Sequence, residues 1–333
     1  MCNAYFDIYS LLPSKLLKMS DLSQTDRFDH SLMGIAFISF LCILLNIKLF
    51  NKSALNVHAT CLIIIFCAFY LFSKSIGCSL LQLPLCLLKR VFNGTSQRYS
   101  ILVLWSNCIF VAVMFNVYIA KLKVATTIHR KYFHLVGIII AVSGLYFEPQ
   151  FTRLASFLAI IIFCLVEAIR ANMVKPYYSL INQSFLVFLD EQDGVNSILS
   201  PIFLLISLFG PLILVEINEL KPIALLHFSG ICIVGVGDAM AAIIGTLYGK
   251  NKWRSVLNLD KTSSKSLQGT AAFFLSCLIT LLLCQYYFLH INFMALSFVR
   301  IIITSFVTSL CEAFCSKYDN ILPTIIGFII LYW

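Results

Sequence analysis

The residues best equipped for chemistry in this 333-residue chain are sparse acids and bases set among apolar runs. Their densest arrangement lies between Val234 and Thr270, where Asp238 follows two glycines, Gly235 and Gly237, and small residues recur at Ala241, Gly245 and Gly249. On a helix, offsets of three, seven and eleven residues return to one face, so Asp238 heads a stripe of backbone without bulk. Lys250, Lys252, Arg254, Lys261 and Lys265 come next, with Gly269 and Thr270 behind them. A carboxylate that takes a cation, a backbone open to close approach and lysines that neutralise phosphate oxygens suit a metal-bound polyphosphate. Helix packing is the competing use of a small-xxx-small stripe. Against it, a carboxylate costs about 2.5–3.5 kcal/mol at a bilayer centre and needs a reason to be there. The spacing is not that of a P-loop, because no Gly-Lys-Ser/Thr follows the glycines.

Four further clusters carry charge. Arg130, Lys131, Tyr132, Phe133 and His134 make a basic aromatic turn at the entry to an apolar run, with Arg130 and His134 one helical turn apart. It reads either as a membrane anchor or as a phosphate or headgroup clamp in which His134 is a donor or base. Glu167 and Arg170, three apart, read as an ion pair sealing a helix end. Asp190, Glu191 and Asp193 close an amphipathic piece, either a solvated acidic face or a substrate or metal loop. Glu312 and Asp319, seven apart, share a helix face if the helix continues. Two such acids repel each other, so a shared divalent ion is one reason for them and separate solvation of helix ends the other.

These residues have to be positioned inside a membrane. Hydrophobic residues make up 60% of the chain and charged residues 12%, and mean hydropathy is +0.92, so a soluble core this apolar would have no surface. The net charge of +9 lies between apolar runs, where topology and anionic headgroups explain it, and this excludes nucleic acid as the expected partner. Eight of the thirteen cysteines sit inside apolar runs as small hydrophobes, and Cys311 and Cys315 stand four apart without histidines, which argues against zinc. Residues 1–30 lack a long apolar core, so an early span rather than a cleaved leader is expected to direct insertion.

The fold class expected is all-α and polytopic, with about ten transmembrane helices, nine to eleven. The candidate spans are Leu32 to Phe50, Val57 to Phe72, Ser100 to Ala120, Leu135 to Phe147, Leu154 to Ile169, Pro201 to Ile217, Ile223 to Val236, Ala271 to His290, Phe293 to Leu310 and Ile321 to Trp333. Lys121, Lys123, Arg130 and Lys131 place the loop before the fourth span in the cytoplasm, and counting onward puts the Asp238, Lys265 and Glu312 clusters at that same boundary. Lys89, Arg90 and Arg98 then fall on the opposite side, against the charge bias. Of the sequons at Asn51, Asn93 and Asn182, the last faces the cytoplasm and is expected never to carry a glycan.

Five motifs in order closely resemble the dolichol kinase family: Arg130 to His134; Phe188-Leu189-Asp190-Glu191 with Asp193; Val234 to Asp238 with Ala241, Gly245 and Gly249; Lys265 to Thr270; and Glu312-Ala313 with Asp319-Asn320. The resemblance covers roughly Thr126 to Ile330. It implies a multi-pass endoplasmic-reticulum enzyme, its active site facing the cytoplasm, that moves the terminal phosphoryl group of CTP to dolichol with a divalent cation, Mg2+. It also implies a nucleotide site at Gly237, Asp238, Ala241, Gly245, Gly249, Lys265, Gly269 and Thr270, with Arg130, Lys131 and His134 toward phosphate. Asp238, Lys265, Glu312 and Asp319 are the expected catalytic set, and Asp238, Glu312 and Asp319 the expected metal ligands. Residues 1–125 are then an N-terminal membrane region shorter than the family's, and 126–333 the catalytic membrane domain, with the CTP-binding segment at 234–270.

Two departures stand out. The family has paired lysines and a glutamate before the glycine, where this chain has Ser264-Lys265 and Gln268. The rival functions are a CTP-dependent kinase of phytol, farnesol or diacylglycerol, a cytidylyltransferase that keeps the nucleotide on lipid, and a transporter or inactive scaffold. A transporter would hold its polar groups near mid-bilayer, whereas here they are expected at one boundary.

Overall fold

The computed structural model describes residues 24–50, 54–122, 127–185, 197–217, 222–253, 265–289, 295–315 and 318–333. Among them the fold is helical, with no strand beyond one isolated antiparallel bridge between Lys252 and Ser266. The helices are α1 (Gln24–Phe50), α2 (Ala54–Ser75), α3 (Leu83–Phe92), α4 (Ser96–Leu122), α5 (Thr127–Phe147), α6 (Pro149–Ala171), α7 (Tyr178–Phe185) and α8 (Ser200–Leu214). After a 3-10 turn at Leu225–Phe228 and a π-helical stretch at Ile231–Asp238 come α9 (Ala239–Tyr248), α10 (Leu267–Tyr287), α11 (Ala295–Phe314) and α12 (Ile321–Tyr332). Seven helical runs among the described residues are long and apolar enough to cross a membrane, and α8 and α12 are shorter apolar helices.

The chain divides into two compact units, Met1–Lys89 and Arg90–Trp333. In the first, α1 pairs with α2, and Asn46 Nδ2 donates to the Val57 carbonyl at 3.0 Å. The second contains every motif described above that falls on described residues. Its boundary precedes residue 126 because α4 packs on α5 and α7.

The second unit is built around the π-helical stretch. Ile231 to Val234 are 0–3% exposed, surrounded by α5, α8, α10, α11 and α12. A helix apolar on every side belongs at such an axis. Pro149 begins α6 and Pro201 is the second residue of α8, both in a first turn where a missing N–H costs nothing. Pro211 near the end of α8 withholds a donor from the last turns, which limits that helix to 15 residues. Ser266 caps α10, its Oγ accepting the Gly269 N–H at 3.2 Å.

One boundary differs from expectation. The span expected to end at Val236 runs on as one apolar helical stretch from Leu225 to Tyr248. The small residues after Asp238 are themselves apolar enough to stay in the membrane. Asp238 therefore falls inside this apolar helical stretch, ten residues or about 15 Å along the axis before its end, rather than at the boundary expected for it.

Candidate active site

The first turns of α5 carry Arg130, Lys131 and His134, and the axial helix brings Asp238 to them. Lys131 Nζ is ion-paired with Asp238 Oδ2, and His134 Nε2 lies 3.3 Å from the same oxygen and 3.4 Å from the lysine. His134 and Asp238 are buried at 6% and 5% exposure, so the carboxylate depends on these neighbours for the contacts water would otherwise make.

A second cluster forms where α10 begins. Trp253 N–H donates to the Lys265 carbonyl at 3.1 Å and Leu267 N–H to the Asn251 carbonyl at 2.9 Å, which joins the two ends of the basic segment. Lys265 Nζ then lies 2.7 Å from Glu312 Oε1, 2.8 Å from the Glu312 carbonyl oxygen and 3.1 Å from Asp319 Oδ2. Burial by itself would pull the Lys265 pKa down; the two carboxylates outweigh it and hold the group above the ordinary lysine value. The partners come from the end of α11 and the turn before α12, where Tyr318 has φ +61°.

Both clusters line one cavity of about 1300 Å³. Arg130, Lys131, His134, Asp238, Ala241, Gly245, Gly249, Lys265, Gly269, Thr270, Glu312 and Asp319 all reach it. Its remaining wall is largely apolar, with Trp105 and Ile109 from α4, Phe133 from α5, Phe163 from α6 and Leu204 from α8. Of these side chains the sequence singles out Phe133 alone, in the basic aromatic turn; the others sit in unremarkable apolar runs. Lys252, part of the basic run but outside the expected site, lines the cavity as well.

Three expectations change. Gly237 is buried away from the cavity, and a side chain there would meet the Phe273 ring at 3.1 Å, because the π-helical turns rotate it toward α10. The stripe of Ala241, Gly245 and Gly249 is also a helix contact: a Cβ at Gly269 would come within 3.0 Å of the Ala241 carbonyl oxygen and 3.4 Å of Gly245 Cα. The three acids expected to ligate one metal divide into two sets, Asp238 facing Lys131 and the other two facing Lys265, and no group of three ligands converges among the described residues.

Gln268 Oε1 accepts the Asn251 N–H at 3.2 Å, so its amide ties Asn251 to the start of α10. Thr270 Oγ1 accepts from Trp253 Nε1 at 2.9 Å, which leaves it a structural part in the cavity wall. Phe188 to Asp193, Ser264, Arg254 and Lys261 lie outside the described residues.

These features define an integral membrane protein with a charged pocket recessed among its helices and continued by an apolar wall. No family model and no solved structure matches the chain. Curated relatives do. The chain is 29% identical over 238 residues to dolichol kinase EVAN of Arabidopsis thaliana, covering 69% of this chain and 39% of that protein. It is 30% identical over 315 residues to dolichol kinase sec59 of Schizosaccharomyces pombe, covering 87% and 60%. An uncharacterized protein of Methanocaldococcus jannaschii is 30% identical over 204 residues, 61% of this chain and 92% of that protein. The chain is similar to these dolichol kinases over 69–87% of its own length, and it spans 39–60% of theirs.

Proposed function

We propose that this chain is a CTP-dependent dolichol kinase of the endoplasmic-reticulum membrane, its cavity open to the cytoplasm, supplying dolichyl phosphate for protein glycosylation. The observation that carries the reading is the meeting of two lysine–carboxylate clusters in one cavity that has an apolar wall. A triphosphate needs the first feature and a polyprenol the second. The seven long spans together with α5, α8 and α12 make the ten helices of the proposed topology.

Lys265, Lys131, Arg130 and Lys252 supply positive charge for phosphate oxygens, and the start of α10 adds the positive end of its helix dipole. Asp238, aligned by Lys131 and His134, is the group placed to take the hydroxyl proton of the acceptor. The fit to a divalent cation is favourable at Glu312 and Asp319, whose oxygens already converge on one cationic atom, Lys265 Nζ. Two protein carboxylates with phosphate oxygens are a usual set for Mg2+. When bound there it would neutralise charge on the transferring phosphate.

The test supplies membranes containing this chain alone with dolichol and CTP labelled in the terminal phosphate, with ATP and GTP as parallel donors. Label is expected on dolichol from CTP. Label from CTP tagged in the base would instead show a cytidylyltransferase, and transfer to phytol, farnesol or diacylglycerol in preference would reassign the acceptor. Asp238→Asn is expected to lower kcat by about 10²–10⁴, and unchanged turnover would remove Asp238 from the chemistry.

A further inference from the structure

A thiol that lines this cavity and a second thiol beside it have no part in the proposed reaction. Cys315 lines the cavity, is partly exposed and is the first residue after α11. Its Sγ lies 3.7 Å from that of Cys311, one turn earlier. Cys311 directly precedes Glu312, whose side-chain and backbone oxygens both hold Lys265. Cys232 and Cys284 provide a comparison inside the same molecule, with their sulfurs also 3.7 Å apart but in the apolar core, at 0% and 8% exposure. Access to a polar cavity separates the two pairs, and distance does not.

We infer that Cys311 and Cys315 form an oxidation site that switches the adjacent Lys265 cluster, with a hydroperoxide as the oxidant. The Cys315 sulfur attacks a peroxide oxygen, the O–O bond breaks, the thiol proton leaves with the departing hydroxide as one water, and a sulfenic acid forms. The Cys311 sulfur then attacks that sulfur, the S–O bond breaks, a second water departs and the S–S bond forms. Two thiols together give up two electrons and two protons, and one hydrogen peroxide becomes two waters.

The switch follows from geometry. Helical Cβ atoms four residues apart stand about 5–6 Å from each other, whereas a disulfide brings them to about 3.5–4.5 Å. Cys315 lies just outside the helix, so it is the end that moves, and it stands between Glu312 and Asp319 in the chain. Drawing it inward alters how those two carboxylates share Lys265. The effect on turnover rests on the proposed kinase activity, whereas the modification itself does not.

The experiment treats the full chain in membranes with hydrogen peroxide, alkylates the remaining thiols and maps disulfides by mass spectrometry alongside CTP-dependent dolichol phosphorylation. The expected result is a Cys311–Cys315 disulfide, free Cys232 and Cys284, and a loss of activity of fivefold or more that dithiothreitol restores. Cys311→Ser should keep basal activity, form no such bond and lose less than twofold under the same treatment. Absence of the bond, or an equal yield of Cys232–Cys284, overturns the site. A bond formed without loss of activity, or equal loss in Cys311→Ser, overturns the switch. If the bond forms in a chain that shows no kinase activity before treatment, the kinase reading fails and the oxidation site stands.

Discussion

Lys265 shows how a single side chain acquires its role from what is brought to it. In sequence it is one of several bases in a loop. In the fold it is clamped by Glu312 and Asp319, which would repel each other without it. Its pKa is raised above the ordinary 10.5, so its contribution to stability is complete below that value and is lost only as pH climbs through the higher folded one. The difference in unfolding midpoint between the parent and Lys265→Met is therefore expected to stay constant from neutral pH to about 10 and to shrink above it. Thermal unfolding in detergent across that range checks this, and a difference that disappears near neutrality would contradict the clamp. At the same scale, Gln268 spends its side chain on the Asn251 N–H. The residue that stood out as a departure from the family pattern is thus a fastener between Asn251 and the start of α10.

Among the elements, the crossing of α9 on α10 decides most. The small-residue stripe admits two uses, open backbone for a ligand and close packing of helices, and the structure gives it both. Gly269 and Gly245 bring the two helices together while the same residues reach the cavity. This places the capped start of α10, and Lys265 just before it, beside the stripe. Gly269→Val would push a branched side chain into the Ala241 carbonyl, for an expected loss of about 1–3 kcal/mol. Unfolding of the purified protein should show that loss, with weaker nucleotide binding beside it. Normal stability would mean that the crossing is looser than it looks. A second fastening works at the end of α6: Arg170 and Glu167 form two hydrogen bonds at 2.7 and 2.8 Å, and the pair also holds Asn182 and the Ile198 N–H. The expected helix-end ion pair is there, and it ties α6 to chain on both sides of residues 186–196.

Across the second unit, orientation can be read again with the partners visible. Arg98 seemed to break the charge bias that sets topology. Its guanidinium is in fact paired with Glu148 at 2.7 Å, lies 4.7 Å over the Phe151 ring and is 8% exposed, so it acts as half of a buried pair rather than as a free loop charge. The proposed arrangement places Asn182 on the cytoplasmic side with its side-chain oxygen accepting from Arg170 Nη1 at 3.1 Å. Glycosidase digestion of the protein expressed in a eukaryotic membrane is expected to show no glycan on Asn182. A glycan there would reverse the orientation and break that hydrogen bond together.

The amino-acid sequence by itself determined the helical class and the apolar, membrane-type spans, and it singled out most of the charged residues that line the candidate site, because hydropathy and the order of motifs along the chain are local properties. It also predicted the Glu167–Arg170 pair, whose partners are three residues apart. It could not say which lysine answers which acid: Lys131 and Asp238 are 107 residues apart, and Lys265 and Asp319 are 54. Those pairings, the depth of Asp238 inside its span and the rotation of Gly237 toward Phe273 depend on where helices cross. A crossing is set by side chains filling space across the whole unit, and no stretch of sequence contains that information alone.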